Sequence, residues 1–339
     1  MKMNGNILLH HGSGGLMMQN LIHDLFLANF DNRFIRSLTD SAILPGKPGR
    51  IAFTTDGFVV DPVFFPGGNI GKLAVCGTVN DLAVSGAVPL FLSVSFIIEE
   101  GFPLSDLETI VKSMASEAKK ARVLIVTGDT KVVPKGKADK IFITTSGIGH
   151  VEQEYEGISH ARKVRPGDLV LVNGTIGDHG MTILNARESL RFSSRLESDC
   201  ACLNGMIRKM LKGSPGIGFM RDATRGGLAG VLCELAGKTG LGIEINEENI
   251  PVREEVNGMC ELLGFDPLHV ANEGKIILVA AERYGKKILE IMKKDKQGKT
   301  SAIIGKITEG HKGKVLLNTT SGGKRWIDIP TGEQLPRIC

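Results

Sequence analysis

A cysteine closes this chain of 339 residues, and five aspartates stand where strands are expected to end or helices to begin. The thiol of Cys339 follows Pro336-Arg337-Ile338. Chain ends are commonly exposed unless something ties them down, and Pro336 discourages a helix just before the end. A thiol on such an arm can carry a chemical group between a docked and an extended position; it can equally be a dispensable terminal residue. The aspartates are Asp40 (Thr-Asp-Ser-Ala), Asp56 (Thr-Thr-Asp-Gly), Asp81 (Val-Asn-Asp-Leu), Asp129 (Thr-Gly-Asp-Thr) and Asp222, which opens Asp-Ala-Thr-Arg-Gly-Gly. Singly, each reads as a cap or turn residue. Converging on one place, they repel unless a cation sits among them. Hard oxygen ligands select Mg2+, which bridges protein carboxylates to substrate phosphates.

Phosphate contacts have a source in Gly12, Ser13, Gly14 and Gly15, just ahead of a helix expected to begin near residue 16. Bare backbone N–H groups at a helix entrance suit an anion, although a glycine-rich loop often makes only a turn. Two common nucleotide motifs are missing. The Gly-Lys-Thr runs at 237–239 and 298–300 have Leu232 and Lys293 where a P-loop needs its first glycine, and Gly12-Ser13-Gly14 continues to Met17 rather than to a third glycine. Lys131, two positions after Asp129, is a phosphate contact, a base if desolvation lowers its pKa, or a solvated surface lysine. Glu273, in Val-Ala-Asn-Glu-Gly-Lys, either caps a turn or accepts a proton.

These residues need elements to hold them. Strands are expected at 51–55, ending at Asp56-Gly57, at 90–98, at 123–127, stopping at Gly128-Asp129, and at 141–148. Helices are expected at 70–85 and 105–120, the second with Ser105 as N-cap and Glu108 three residues on. A polar stretch and the turn Arg165-Pro166-Gly167-Asp168 mark a boundary near 152–166. Beyond it come a strand at 169–172, helices at 180–190, 203–211 and 228–237, and strands at 242–245, 275–280, 302–307 and 314–318. Strand–helix alternation makes this an α/β (α+β) chain of two domains, 1–157 and 158–328, with a tail at 329–339. Strand ends in open α/β sheets are where ligands collect.

Bulk properties narrow the function. The chain is 42% hydrophobic and 23% charged, with a net charge of +4, one Trp and two Tyr. So few stacking rings disfavour a nucleic-acid platform. No apolar run approaches the ~18–20 residues that cross a bilayer, and the N-terminus does not read as a signal peptide. A cytoplasmic protein with reduced thiols at 76, 200, 202, 233, 260 and 339 is expected. No C-x-x-C pair occurs, and Cys200-Ala-Cys202 supplies two ligands, too few to close a metal site, so these read as ordinary thiols.

Taken jointly, His-Gly-Ser-Gly-Gly (11–15), Thr-Asp-Ser-Ala (39–42), Thr-Thr-Asp-Gly (54–57), Val-Asn-Asp-Leu-Ala-Val-Ser-Gly-Ala-Val-Pro (79–89), Gly-Asp-Thr-Lys-Val-Val (128–133), Arg-Asp-Ala-Thr-Arg-Gly-Gly-Leu (221–228), Ala-Asn-Glu-Gly (271–274) and the terminal Pro-Arg-Ile-Cys resemble the superfamily of aminoimidazole ribonucleotide synthetase and selenophosphate synthetase. The terminal motif points to its hydrogenase-maturation branch, the carbamoyl dehydratases. The resemblance implies a PurM-like fold: an N-terminal four-stranded sheet that pairs with its twin into a dimeric β-barrel, and a C-terminal mixed sheet flanked by helices. It implies ATP on Gly12, Ser13, Gly14, Gly15, Asp56, Asn80, Asp81, Asp129, Thr130 and Lys131, and Mg2+ on Asp40, Asp56, Asp81, Asp129 and Asp222. Relatives often have two acidic residues where this chain has Asp40-Ser41. Catalysis would fall to Cys339, Lys131 and Glu273. The implied activity is ATP-dependent dehydration of an S-carboxamide on Cys339 to a thiocyanate, the source of a cyanide ligand for nickel–iron hydrogenase. The implied partners are a second copy of the chain, the carbamoyltransferase HypF and the iron-carrying HypC–HypD complex. Rival readings are a small-molecule relative such as selenophosphate synthetase, which needs a reactive cysteine near the glycine loop where residues 1–30 contain none, and an ATP-gated scaffold whose terminal cysteine only docks a partner.

Overall fold

The apolar stretch after Asn69 becomes the central helix, Ile70–Val84. The side-chain oxygen of Asn69 accepts hydrogen bonds from the N–H groups of Gly71 (2.9 Å) and Lys72 (3.0 Å) and so caps its start. Every residue of this helix except Lys72 and Asp81 is buried. A helix apolar all round must be covered on all sides, and this one is wedged between a sheet, a second helix and the second half of the molecule. Close packing against the helix Leu104–Ala121 depends on Gly71, where a Cβ would come within 2.5 Å of the Ile110 carbonyl oxygen.

The computed structural model describes residues 5–12, 16–38, 41–46, 48–188, 195–329, 335 and 337–339. Ser13, Gly14, Gly15 and Asp40 lie outside the described residues. The first sheet contains β1 (Arg50–Phe58), β4 (Ala87–Glu99), β5 (Leu124–Val133) and β6 (Ile141–Val151); the two-residue strands β2 (Phe64–Phe65) and β3 (Gly68–Asn69) form a separate hairpin. Its order is β1-β6-β4-β5, with only β4 and β5 parallel. The second sheet has the order β13-β12-β9-β11-β7-β10-β8, from β7 (Leu169–Val172), β8 (Ile217–Asp222), β9 (Gly242–Asn246), β10 (Ile276–Ala280), β11 (Ala302–Thr308), β12 (Val315–Asn318) and β13 (Lys324–Ile327). The mixed α/β architecture expected from the sequence is present.

Side-chain alternation explains why β10 is buried throughout. Ile277 and Val279 pack with the helix Gly227–Thr239 on one face, while Ile276, Leu278 and Ala280 pack with the helices Asn204–Gly213 and Glu282–Lys293 on the other. A strand covered on both faces reads as a continuous apolar run.

Several expectations need correction. Strand β1 does not stop at Asp56-Gly57 but continues to Phe58, because β6 offers pairing partners as far as Ile143. Likewise β5 runs through Gly128 and Asp129 to Val133 alongside β4, and β6 continues past Gly149 to Val151. Ser105 is not an N-cap: the helix starts at Leu104, with extended Pro103 ahead of it and no side-chain cap. Strands β8 and β13 and the helices Glu254–Leu263 and Glu282–Lys293 were not expected from the sequence.

Candidate active site

Between the two sheets lies a cavity of about 640 Å³ whose lining includes Asp56, Asp81, Asp222, Arg225, Glu273 and Cys339. Each comes from a different local structure. Asp56 sits within β1 and turns toward the central helix, where the Thr78 hydroxyl donates to it at 3.1 Å. Asp81 is one of two residues of that helix not buried, and the Thr54 hydroxyl of β1 donates to it at 2.9 Å. Asp222 ends β8. Arg225 precedes Gly226 and Gly227, whose φ values of 74° and 60° suit glycine. A Cβ on Gly227 would come within 2.6 Å of the Val270 carbonyl oxygen.

Glu273 is held by its backbone. Its N–H donates to Asp199 (3.1 Å), and its carbonyl accepts from the Asn80 amide (3.3 Å). Asp199 also pairs with the ammonium of Lys275 at 2.8 Å in a buried ion pair. Burial, the largest single influence, would raise the Asp199 pKa, but the Lys275 charge and hydrogen bond, the His179 charge and the Glu273 N–H together outweigh it and hold the carboxyl below its ordinary value.

Four carboxyl groups in one half-dry cleft cannot all stay ionised. Burial, then the charges of Asp222 and Asp56, push Asp81 up to about 7. Asp222 rises to about 6, chiefly through burial. Asp56 is also raised by burial, against the pull of Thr78 and Arg225. Glu273 is driven well above the usual glutamate value, again by burial first. Such a cluster either retains protons or takes a cation, and its all-oxygen donor set fits Mg2+.

The chain end closes the site. Val59 N–H donates to a carbonyl-side oxygen of Cys339 (3.0 Å), and Asp61 N–H donates to the Arg337 carbonyl (3.3 Å). Two side chains of the helix Asp178–Glu188 clamp it. His179 Nε2 donates to the Ile338 carbonyl at 2.9 Å, with its Nδ1 2.7 Å from the Ser198 hydroxyl. Arg187 donates to the carbonyls of Asp61 (2.9 Å) and Arg337 (2.6 Å). Arg337 pairs with Asp139 at 2.5 Å, and Ile338 is buried in the first core. In this seat the Cys339 thiol is pushed up to about 12, by burial first and then by the Glu273 charge. A thiol in that state is protonated and a poor nucleophile.

The remaining residues singled out in the sequence fall elsewhere. Asp129, Thr130 and Lys131 lie on β5, the opposite edge of the first sheet, three strand spacings or about 14 Å from β1. Asp129 pairs with Lys131 at 2.6 Å, which holds its carboxyl below the ordinary value. The Lys131 side chain is 59% exposed in the single chain. Thr130 is buried. Gly12 packs on this same strand, where a Cβ would come within 2.5 Å of the Val132 nitrogen. Asn80 is buried and fully engaged in the fold: its amide donates to the carbonyls of Ala201 and Glu273, and its oxygen accepts from Leu203 N–H.

Sequence reading missed Arg225, His179 and Arg187. Arg225 stood in a quoted motif, ahead of two glycines, and that was its signal. Nothing in the helix Asp178–Glu188 marks two of its side chains as meeting a segment some 150 residues away.

Two family models cover most of the chain: AIR synthase related protein, N-terminal domain, over residues 38–151, and AIR synthase related protein, C-terminal domain, over residues 165–318. The carbamoyl dehydratase HypE of Azotobacter vinelandii is 48% identical over 336 residues, covering 99% of this chain and 98% of that protein. A crystal structure of the hydrogenase maturation protein HypE in complex with ATP matches with a TM-score of 0.93 at 44% identity, over 98% of this chain and 99% of that one. A chain from the crystal structure of a HypE–HypF complex matches with a TM-score of 0.79 at 52% identity, over 91% of this chain and 99% of that one.

Proposed function

The chain belongs to the AIR synthase related family and, within it, to the HypE carbamoyl dehydratases, and from that premise we propose that it uses ATP to dehydrate a carboxamide carried on its own Cys339. The observation that carries this reading is the seat of the terminal thiol in the carboxylate cleft beside Asp56, Asp222 and Glu273. A thiol held protonated in that seat is a poor nucleophile, so loading would take place with the tail undocked and the cleft would receive the sulfur already carrying its group.

An amide oxygen is a poor leaving group, and transfer to phosphorus makes it a good one. The oxygen of the S-carboxamide attacks the γ-phosphorus of ATP and ADP departs. The nitrogen then gives up both of its protons, one ending on the departing phosphate and one released, as phosphate leaves with the original oxygen, and S–C≡N remains. The sum is S-carboxamide and ATP giving thiocyanate, ADP, phosphate and a proton. Glu273 is the better placed of the two expected bases, because it lies beside Cys339 while Lys131 stands at the far sheet edge. Its raised pKa makes it a competent proton acceptor once ionised. Arg225 faces the same cavity and offsets the negative charge gathered there. Asp56, Asp81 and Asp222 would hold Mg2+, which supplies charge neutralisation for the phosphates when bound; Asp40 and Asp129 complete the expected set. The docked tail closes one side of the cleft, which helps exclude water.

The nucleotide site spans two copies of the chain in this reading. Both β1 and β5 are edge strands, and the exposed side of β1 presents Ile51 and Phe53, 70% and 68% exposed. Pairing with a second copy into a β-barrel would cover them and bring the Gly12, Asp129 and Lys131 edge of one copy to the cleft of the other. HypF would load the carbamoyl group, as the HypE–HypF complex of a relative suggests. HypC–HypD would receive the cyanide for the hydrogenase iron. No helix among the described residues is long and apolar enough to cross a membrane, and a cytoplasmic setting fits six free cysteines.

Whole-protein mass spectrometry tests the reading. Incubation with HypF and its carbamoyl donor should add one carbamoyl group to Cys339, and ATP should then remove one water. Nucleotide binding with no mass change at Cys339 would leave only an ATP-gated scaffold.

A further inference from the structure

On the far side of the central helix from the cleft, three groups remote in sequence come together. Cys76 of that helix is fully buried, and its sulfur lies 3.4 Å from the sulfur of Cys202. Glu117, from the helix Leu104–Ala121, is also buried, and one ligand atom from each of the three lies within 4.8 Å of the others. We propose that Cys76, Cys202 and Glu117 form a binding site for a zinc-class divalent cation at the seam between the two halves of the molecule.

The geometry suits a tetrahedral ion. Zinc bonds to thiolate at ~2.3 Å, so two sulfurs on one tetrahedron lie ~3.8 Å apart. The observed separation needs only a few tenths of an ångström of opening. Two thiolates and a carboxylate select a borderline-soft ion over Mg2+. A cavity of about 390 Å³ adjoins the group, lined by Glu117, Cys200, Cys202, Lys120 and Lys72 among others. It provides an entry path and room for a water as fourth ligand. Lys120, 2.7 Å from Glu117, offsets the surplus negative charge of a three-anion site. Binding would release the two thiol protons to solvent. A disulfide is the competing use of this pair, but it requires the sulfurs to close from 3.4 Å to ~2.05 Å.

The site joins three segments. Cys76 and Glu117 belong to helices of the first half, and Cys202 to the stretch that leads into the helix Asn204–Gly213 of the second. One turn along from Cys76 stands Asn80, which grips Ala201, Leu203 and Glu273. Occupancy therefore braces the back of the cleft that Glu273 lines.

Titrating the full-length, reduced, metal-stripped protein with Co2+ in excess Mg2+ provides the test. One equivalent should bind with a thiolate-to-cobalt charge-transfer band, which Zn2+ removes and which persists in Cys339→Ala. Cys202→Ser and Glu117→Gln should each weaken Co2+ binding by at least ~10-fold, while Cys233→Ser, on a distant helix, leaves it unchanged. Two single-site variants keep the test open if either one misfolds. Absence of the band, its survival undiminished in both variants, or a Cys76–Cys202 disulfide in protein that takes up no Co2+ after reduction would overturn the proposal.

Discussion

The two edges of the first sheet carry the same residue type to opposite ends. On β1, Asp56 faces inward against a helix, shares a closed space with Asp81, Asp222 and Glu273, and is raised by burial. On β5, Asp129 faces solvent, bonds Lys131 and is lowered. A Thr-Asp or Gly-Asp step at a strand says nothing about which way the carboxyl titrates; the cover over the strand decides it. The crowded edge is where chemistry can be driven by proton or cation exchange. The solvated edge can only attract and position.

The largest expected effect comes from removing what the crowded edge receives. Cys339→Ala should abolish nitrile formation in a mass-spectrometric assay while leaving ATP binding measurable by calorimetry. Nitrile found in that variant would detach the cleft from the tail. Next, Glu273→Gln should lower single-turnover dehydration of carbamoyl-loaded protein by ~10²–10⁴-fold, whereas Lys131→Ala should act chiefly on the apparent affinity for ATP. Equal losses of turnover in the two variants would erase the distinction between the edges.

A pH experiment on the metal-free protein sharpens the contrast further. Folded Asp81 and Asp222 keep protons up to about 7 and about 6, against an ordinary 3.8. Between those limits the folded chain binds more protons than the unfolded chain. Its stability should therefore fall as pH rises from about 4 to about 7, by on the order of a few kcal/mol. Asp81→Asn should flatten the slope, and Mg2+ should oppose it with affinity that increases over the same range. Asp129 has the opposite sign, since its lowered pKa contributes stability that is lost only as pH falls through the carboxylate range; it is largely exposed and should contribute little. Thermal melts across pH for Asp81→Asn and Asp129→Asn would separate the two. The smallest effect belongs to the tail clamp. His179→Ala should cost about 1 kcal/mol of docking and hasten alkylation of Cys339 at neutral pH, because a thiol released to solvent returns toward its ordinary pKa.

Much of this was legible in the sequence, for identifiable reasons. The central helix and strands β4, β7 and β10 are long or continuous apolar runs, and these were placed to within a few residues. Asp56, Asp81, Asp222, Glu273 and Cys339 were all singled out and do share one cavity. Element ends were harder, because β1 and β5 outlast their apolar runs only through pairing with neighbours distant in sequence. Asn80 adjoins Asp81 in sequence, but one helical step of about 100° turns its amide toward Ala201 in the seam. The Cys76–Cys202 approach was invisible, since 126 residues separate the two sulfurs.

His179 and Arg187 grip carbonyl groups of the tail rather than its side chains. Such a grip is indifferent to what the sulfur carries, so bare, loaded and spent forms should all be admitted. Occupancy of the seat then cannot signal readiness. Traffic through it must be sorted by the chemistry beyond, and dilution of the protein would not slow the arrival of an intramolecular guest.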